Sequence, residues 1–376
     1  MGVTFCNSHF IFYTHSIIVV DPVNKQLHFI IGIGRSGTTI LNKILNSHPS
    51  IHSLPEANFL LFFLNDYKNV TRFTKEHIEL MFQQIKIFSL SHPLVGWELD
   101  IEAAKQKLID IVSKTELSYA TLCKTIYSEI KVTGKDKSNA TMLIDKNPAF
   151  TLSVDQLEKY FPESKFILLV RDYRANVLSR KQNAYLKSPR VPYNATRWRV
   201  FNEIASKFYK KHSNKVLLLR YEDLVSDYDA SMKKVFAFLN VKEEDMKETE
   251  LSKVDVSKME IADEHKKYFS KKYDDLSKPI NTSRVNAWQT ELSKQEIAEC
   301  DAICANFAKV YGYTEFIPVP LFKKIGIILK NIFIIIPSYL DIKKDQLLFH
   351  VSAKTKMNAL IKRHETLGFI KQRSDL

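Results

Sequence analysis

The clearest run of consecutive apolar residues is Lys165–Val170, KFILLV. Short, continuous and bounded by polar residues, it predicts a parallel strand buried on both faces. Lys215–Leu219, KVLLL, and Phe29–Ile31 read the same way, and Ala140–Asp145 reads as a further strand. Elsewhere apolar positions recur at helical spacing. Ile40, Leu41, Ile44 and Leu45 share one face just after the first strand. Thr151–Tyr160, closed by Phe161-Pro162, reads as a helix, as do Tyr193–Lys211 and Asp227–Leu239. The Phe-rich stretch 57–90 and residues 101–131 are also read as helical. Ser293-Lys-Gln-Glu296 is a capping box opening a helix through Ile297, Ile303, Phe307 and Tyr311, with Gly312 placed to cap its end. Residues 242–278 are dense in Lys, Glu and Asp and suit a flap or a solvated helix. Phe10–Val20 suits an edge strand or a short helix.

The first strand and its helix enclose Gly32, Gly34, Arg35, Ser36, Gly37, Thr38 and Thr39. A strand, a glycine-rich loop and a helix aim unpaired backbone N–H groups and a positive dipole end at one point. A phosphate or sulfate group is the natural occupant. The loop nearly matches the nucleotide-binding pattern G-x-x-x-x-G-K-[ST], but Thr38 stands where the lysine belongs. That lysine neutralises the β and γ phosphates of a nucleotide. A transferable sulfonate carries only about one negative charge, so Arg35, hydroxyls and N–H groups suffice without Mg²⁺. A tight turn without ligand is the plainer alternative.

Composition narrows the classes. The 376 residues, 45% hydrophobic, are enough for one large α/β core or two smaller units. A net charge of +13 suits polyanions, nucleotides or anionic membranes. No zinc-finger, RRM or helix-turn-helix signature points to nucleic acid. The four cysteines form no CxxC, and Cys300 and Cys304 at i, i+4 suit core packing. With residues 10–20 lacking a basic leader and a clear cleavage site, the expected compartment is reducing and cytoplasmic.

The loop GIGRSGTT resembles the 5′-phosphosulfate loop of sulfotransferases that use 3′-phosphoadenosine 5′-phosphosulfate (PAPS). The resemblance covers roughly residues 27–314 and is specific at four points. It implies a three-layer α/β fold like that of P-loop NTPases, with a central parallel sheet flanked by helices. It makes Arg35, Ser36, Gly37, Thr38 and Thr39 the sulfonate-side binding residues. HPSIHSLPE looks like the stretch of tyrosylprotein sulfotransferases whose glutamate is the base, which places Glu56 in that role. His48 and His52 are rival bases. Lys146 lies just beyond a strand's C-terminal end, where open α/β sheets place ligand groups. DKNP resembles the family's K-[DN]-P, whose lysine stabilises the leaving oxygen.

KFILLVRDYRANVLSR strongly resembles the 3′-phosphate section, with Arg171 and Ser179 as its binding residues. Asp172 has an alternative reading as a Walker-B acid. RYEDL is common in the family and sets Tyr221 near the adenine. KPIN resembles the K-P-V-N segment that folds over the cofactor, making Lys278 a binding candidate and Arg284 a weaker one. No metal is expected.

Residues 1–26 form an N-terminal extension and 315–376 a basic, apolar tail. The tail's Ile325–Ile336, interrupted by Lys330, suits interfacial membrane contact or packing on the domain or a second subunit. The expected activity is sulfonate transfer from PAPS to a hydroxyl acceptor: a small alcohol, a sterol or lipid, or a carbohydrate, with the Phe-rich 57–90 stretch and the tail favouring a lipid-like, sterol or other small alcohol over a protein tyrosine. A P-loop kinase or NTPase and a non-catalytic nucleotide-binding protein are the alternatives.

Overall fold

The four apolar runs read as strands pair into one sheet, joined by Ile51–Leu54. The structure is a computed structural model describing residues 24–54, 56, 59–91, 97–132, 137–183, 186–243, 282–316 and 318–353, with Thr355, Lys356 and Asn358 beyond. Phe10–Val20, Lys278 and nearly all of 242–278 lie outside the described residues. The strands are β1 (Gln26–Ile31), β2 (Ile51–Leu54), β3 (Trp97–Leu99), β4 (Ile130–Val132), β5 (Met142–Lys146), β6 (Phe166–Val170) and β7 (Val216–Arg220). The main sheet has the order β2-β5-β1-β6-β7, and every pairing in it is parallel. β3 and β4 form a separate antiparallel pair. Parallel pairing requires crossovers, and helices supply them on both faces.

Alternation along the central strands splits the core into two layers. Phe29, Ile31, Phe166, Leu168 and Val170 face one side, where the long helix Val191–Lys211 contributes buried Trp198. The Phe29 and Phe166 rings stack at 5.4 Å across β1 and β6. Ile30, Ile144, Ile167 and Leu169 face the other side, against Leu41, Ile44 and Leu45 of the loop helix Thr38–Ser47 and Val235 and Phe236 of Tyr228–Leu239. This is the expected three-layer α/β arrangement.

Local departures have physical causes. Thr151–Tyr160 is not one α-helix: Pro148–Ser153 is a 3₁₀ turn begun by Asn147, whose side chain accepts from the Ala149 N–H, and the α-helix runs Val154–Tyr160. Residues 101–131 hold two helices, Ile101–Val112 and Tyr119–Glu129, each opened by a side-chain cap (Asp100 and Ser118), and then β4. β5 reaches Lys146, so that lysine ends the strand rather than following it. The capping box at Ser293 and the left-handed Gly312 occur as expected. Cys300 and Cys304 are both buried. The Phe-rich helix Phe59–Tyr67 buries Phe59 through Leu64 without a break, so these side chains are core.

Candidate active site

Because all five strands run one way, their C-terminal ends emerge along one edge of the sheet. β1 opens into the glycine loop, β2 leads to Glu56, β5 ends in Lys146, β6 runs into Arg171 and β7 into Tyr221. Candidates as far apart in sequence as Arg35 and Tyr221 thus share one edge for a topological reason.

The loop needs its glycines. Gly32 has φ +136°, and a Cβ there would stand 2.3 Å from the Leu169 carbonyl oxygen. Gly37 has φ +92°, and its Cβ would stand 2.5 Å from the Tyr221 ring. Arg35 also adopts the left-handed region, φ +76°, which an arginine enters only at a cost. Thr151 and Asn176 brace the loop around its first two glycines. The Thr151 hydroxyl accepts from the Gly32 N–H at 2.8 Å and donates to the Gly32 carbonyl at 3.1 Å. The Asn176 amide donates to the Gly34 carbonyl at 3.2 Å and to the Ser36 hydroxyl at 3.1 Å. The loop helix starts with no side-chain cap and no acid in its first turn. Its leading N–H groups and dipole end are therefore left for an anion. Ser36 and Thr38 are buried, Thr39 is half-buried and Arg35 is exposed.

A second corner is built around Arg171. Its guanidinium donates to the backbone carbonyls of Arg35 at 3.2 Å and Arg284 at 2.7 Å, and stacks on the Tyr221 ring at 4.3 Å. Nε of Arg171 is buried without a hydrogen-bond partner among the described residues. Burial pulls this arginine below its ordinary pKa, a cost that a bound anion would offset. Arg35 Nε donates to the Ser179 hydroxyl at 3.1 Å, joining loop and corner. Trp198 Nε1 donates to the Arg171 carbonyl at 2.9 Å and fixes its backbone. Asp172 caps the helix Tyr173–Lys181 and pairs with Arg174 at 2.7 Å, so it serves structure rather than a metal. The side chain of Arg284 is held by Glu291 at 2.7 Å and Gln182 at 2.8 Å.

At the far end of the edge, Lys146 Nζ and Glu56 Oε1 form an ion pair at 2.5 Å, with the lysine side chain buried and the glutamate half exposed. Asp145, just before it, accepts from the Tyr127 hydroxyl. Burial pushes the Asp145 carboxyl up to about 8, although Tyr127 and Lys146 pull it down. The rival bases lie elsewhere. His48 sits before β2, at the opposite edge, its Nδ1 accepting from the Ser50 N–H and its Nε2 2.9 Å from the Lys242 carbonyl. His52 is buried inside β2, and burial pulls its ring down to about 4.

Thr151, Asn176 and Trp198 are functional supports that reading the sequence missed. Asn176 carried one signal: asparagine is a poor helix former, so its place mid-helix asks for a specific partner.

The sulfotransferase family matches residues 28–245, more than half the chain and the span from β1 through β7. The chain belongs to the sulfotransferase family. Its enzyme class is therefore sulfonate transfer. The chain is 25% identical over 269 residues to protein-tyrosine sulfotransferase 1 of Danio rerio, covering 70% of this chain and 66% of that one. It is 24% identical over 300 residues to protein-tyrosine sulfotransferase A of Caenorhabditis elegans, covering 78% and 69%. Among solved structures, the sulfotransferase domain of the Synechococcus PCC 7002 olefin synthase aligns with 80% of this chain and 99% of that domain, at 20% identity and a TM-score of 0.47. The two protein-tyrosine sulfotransferase alignments, over 269 and 300 residues, extend that similarity beyond the short motifs.

Proposed function

We propose that this sulfotransferase takes its sulfonate from PAPS and delivers it to a hydroxyl-bearing acceptor. The observation that carries the reading is the double anion site: an uncapped loop helix at one corner and a buried arginine with an unused donor at the other, joined by the Arg35–Ser179 hydrogen bond. A donor with a 5′-phosphosulfate and a 3′-phosphate presents two anions, which suits these two corners. When bound, it supplies an activated sulfonate on a phosphate leaving group.

The residues then divide the work. The loop N–H groups, Ser36, Thr38 and Thr39 hold the 5′ side. Arg171 and Ser179 hold the 3′-phosphate, and so separate PAPS from ATP. Tyr221 supports both corners, since its ring touches Gly37 and carries Arg171. Glu56 accepts the acceptor's hydroxyl proton as the oxygen attacks sulfur and the bond to the bridging phosphate oxygen breaks. Lys146 and Arg35 meet the charge that grows on that oxygen, a contact stronger in the transition state than before it.

The Phe-rich helix gives no support to a lipid-like acceptor, because its side chains are spent in the core. The named relatives favour the phenolic hydroxyl of a protein tyrosine. Calorimetric titration with 3′,5′-adenosine bisphosphate and with ATP–Mg²⁺ tests the donor. Preference for ATP–Mg²⁺ would sink the reading. Transfer from labelled PAPS to a tyrosine peptide, a sterol and a carbohydrate then sorts acceptors. Full transfer by both Glu56→Gln and Lys146→Ala would overturn the assigned roles.

A further inference from the structure

We propose that the two C-terminal helices dock the protein on an anionic lipid surface. These helices, Leu321–Lys330 and Ile332–Leu348, are bent by 71° about Asn331. Neither is long and apolar enough to cross a membrane alone. The second packs on the domain: Ser338 donates to the Tyr193 carbonyl at 2.8 Å and Gln346 to the Leu152 carbonyl at 3.0 Å.

The outward face has a different character. Phe322, Ile325, Leu329, Phe333, Ile336 and Leu340 are all exposed, and their spacing of three or four residues continues through the bend. Phe322 is 78% exposed and Phe333 88%. A run of large apolar side chains held outward at helical spacing marks an interaction surface rather than scattered exposure.

Charge selects the occupant. The two helices contain five lysines, Lys323, Lys324, Lys330, Lys343 and Lys344, and two acids, Asp341 and Asp345. Both acids are engaged with the domain. Asp341 accepts from the Tyr193 hydroxyl at 2.6 Å, and Asp345 pairs with Arg197 at 2.8 Å. Lys187 lies within 3.4 Å of the first and 3.9 Å of the second. Lys323, Lys330, Lys343 and Lys344 remain exposed beside the apolar stripe. A second copy of this chain would bring the same lysines against themselves. An anionic bilayer accepts the apolar side chains below its headgroups and the ammonium groups among them.

The test is sedimentation of the full-length protein with vesicles of phosphatidylcholine alone and of phosphatidylcholine with phosphatidylserine. Light scattering without lipid runs alongside. The expected result is binding to the serine-lipid vesicles that weakens with salt. Removing Lys323 or Lys330 should weaken it roughly fivefold each, and Phe333→Glu at least about tenfold. All three sites are exposed, so melting temperatures should not change. Three results would each overturn the proposal. One is no binding to either vesicle. Another is equal binding with and without serine lipid. The third is a dimer in solution, abolished by Phe333→Glu, in a protein that ignores lipid.

Discussion

Substituting alanine at Gly37 probes whether the glycine loop and the arginine corner are one unit. Two costs can be worked from the structure. The backbone there has φ +92°, which charges an L-residue about 1–2 kcal/mol. The new methyl would also stand 2.5 Å from Cδ2 of Tyr221 and 3.1 Å from its Cε2. Relieving that contact moves a buried ring beneath the Arg171 guanidinium, an overpacking cost of about 1–3 kcal/mol. The sum is roughly 2–5 kcal/mol. Guanidinium unfolding followed by tryptophan fluorescence measures it, and a double-mutant cycle separates the parts. In a Tyr221→Ala background the methyl meets no ring, so Gly37→Ala should cost only the backbone share, leaving a coupling of about 1–3 kcal/mol. Affinity for 3′,5′-adenosine bisphosphate should fall in the single Gly37 variant, since the displaced ring carries Arg171. If Gly37→Ala costs the same in both backgrounds, within about 0.5 kcal/mol, the ring does not press on the loop and the two corners are independent.

Other substitutions report on single contacts. Arg171→Ala should weaken 3′,5′-adenosine bisphosphate about 10- to 100-fold while sparing adenosine 5′-monophosphate; equal losses in calorimetry would remove the arginine from the 3′-phosphate. Asn176→Ala deletes two hydrogen bonds to the loop and should cost about 1–3 kcal/mol in unfolding experiments, with nucleotide affinity falling and circular dichroism unchanged. His52 is held near 4 when folded against 6.5 ordinarily. The unfolded chain therefore gains a proton first as pH drops, and stability is lost from about pH 6.5 down to 4. His28 is lowered to about 4 by burial as well, so His52→Leu should remove about half of the histidine slope and leave transfer intact, whereas inactivity in a folded protein would restore His52 as a base. Asp145 runs the other way: its acid form persists to about 8 when folded against 3.8 ordinarily. Its contribution falls as pH rises between those values, offsetting the histidines up to about 6.5 and standing alone from there to about 8, where Asp145→Asn should abolish the fall.

What the chain disclosed before folding depended on how local the signal was. KFILLV and KVLLL became β6 and β7 within a residue at each end, because a strand buried on both faces needs unbroken apolar sequence. GIGRSGTT was legible because glycine, arginine and hydroxyls occur there in one continuous word. β3 and β4 were not legible: three residues cannot display a period, and β4 was read as the end of a helix. Thr151 and Asn176 escaped for a different reason. Their partners, Gly32 and Gly34, lie 119 and 142 residues away, and a polar side chain bears no local mark of a distant bond. The tail's packing was ambiguous in sequence because its apolar residues serve both an inner and an outer face.

The chain's last described turn has a consequence for biosynthesis. The Phe62 carbonyl receives its hydrogen bond from Lys356, 294 residues later, at 2.8 Å. Asn65 donates to the carbonyl of Phe349 at 2.5 Å, and Asp66 accepts from the N–H of Ala353. On a ribosome these groups of the Phe-rich helix are made nearly 300 residues before their partners. Until then their partners are water or a chaperone. Loop closure over such a separation is entropically slow, so this contact should form late in folding, after the elements between its two ends.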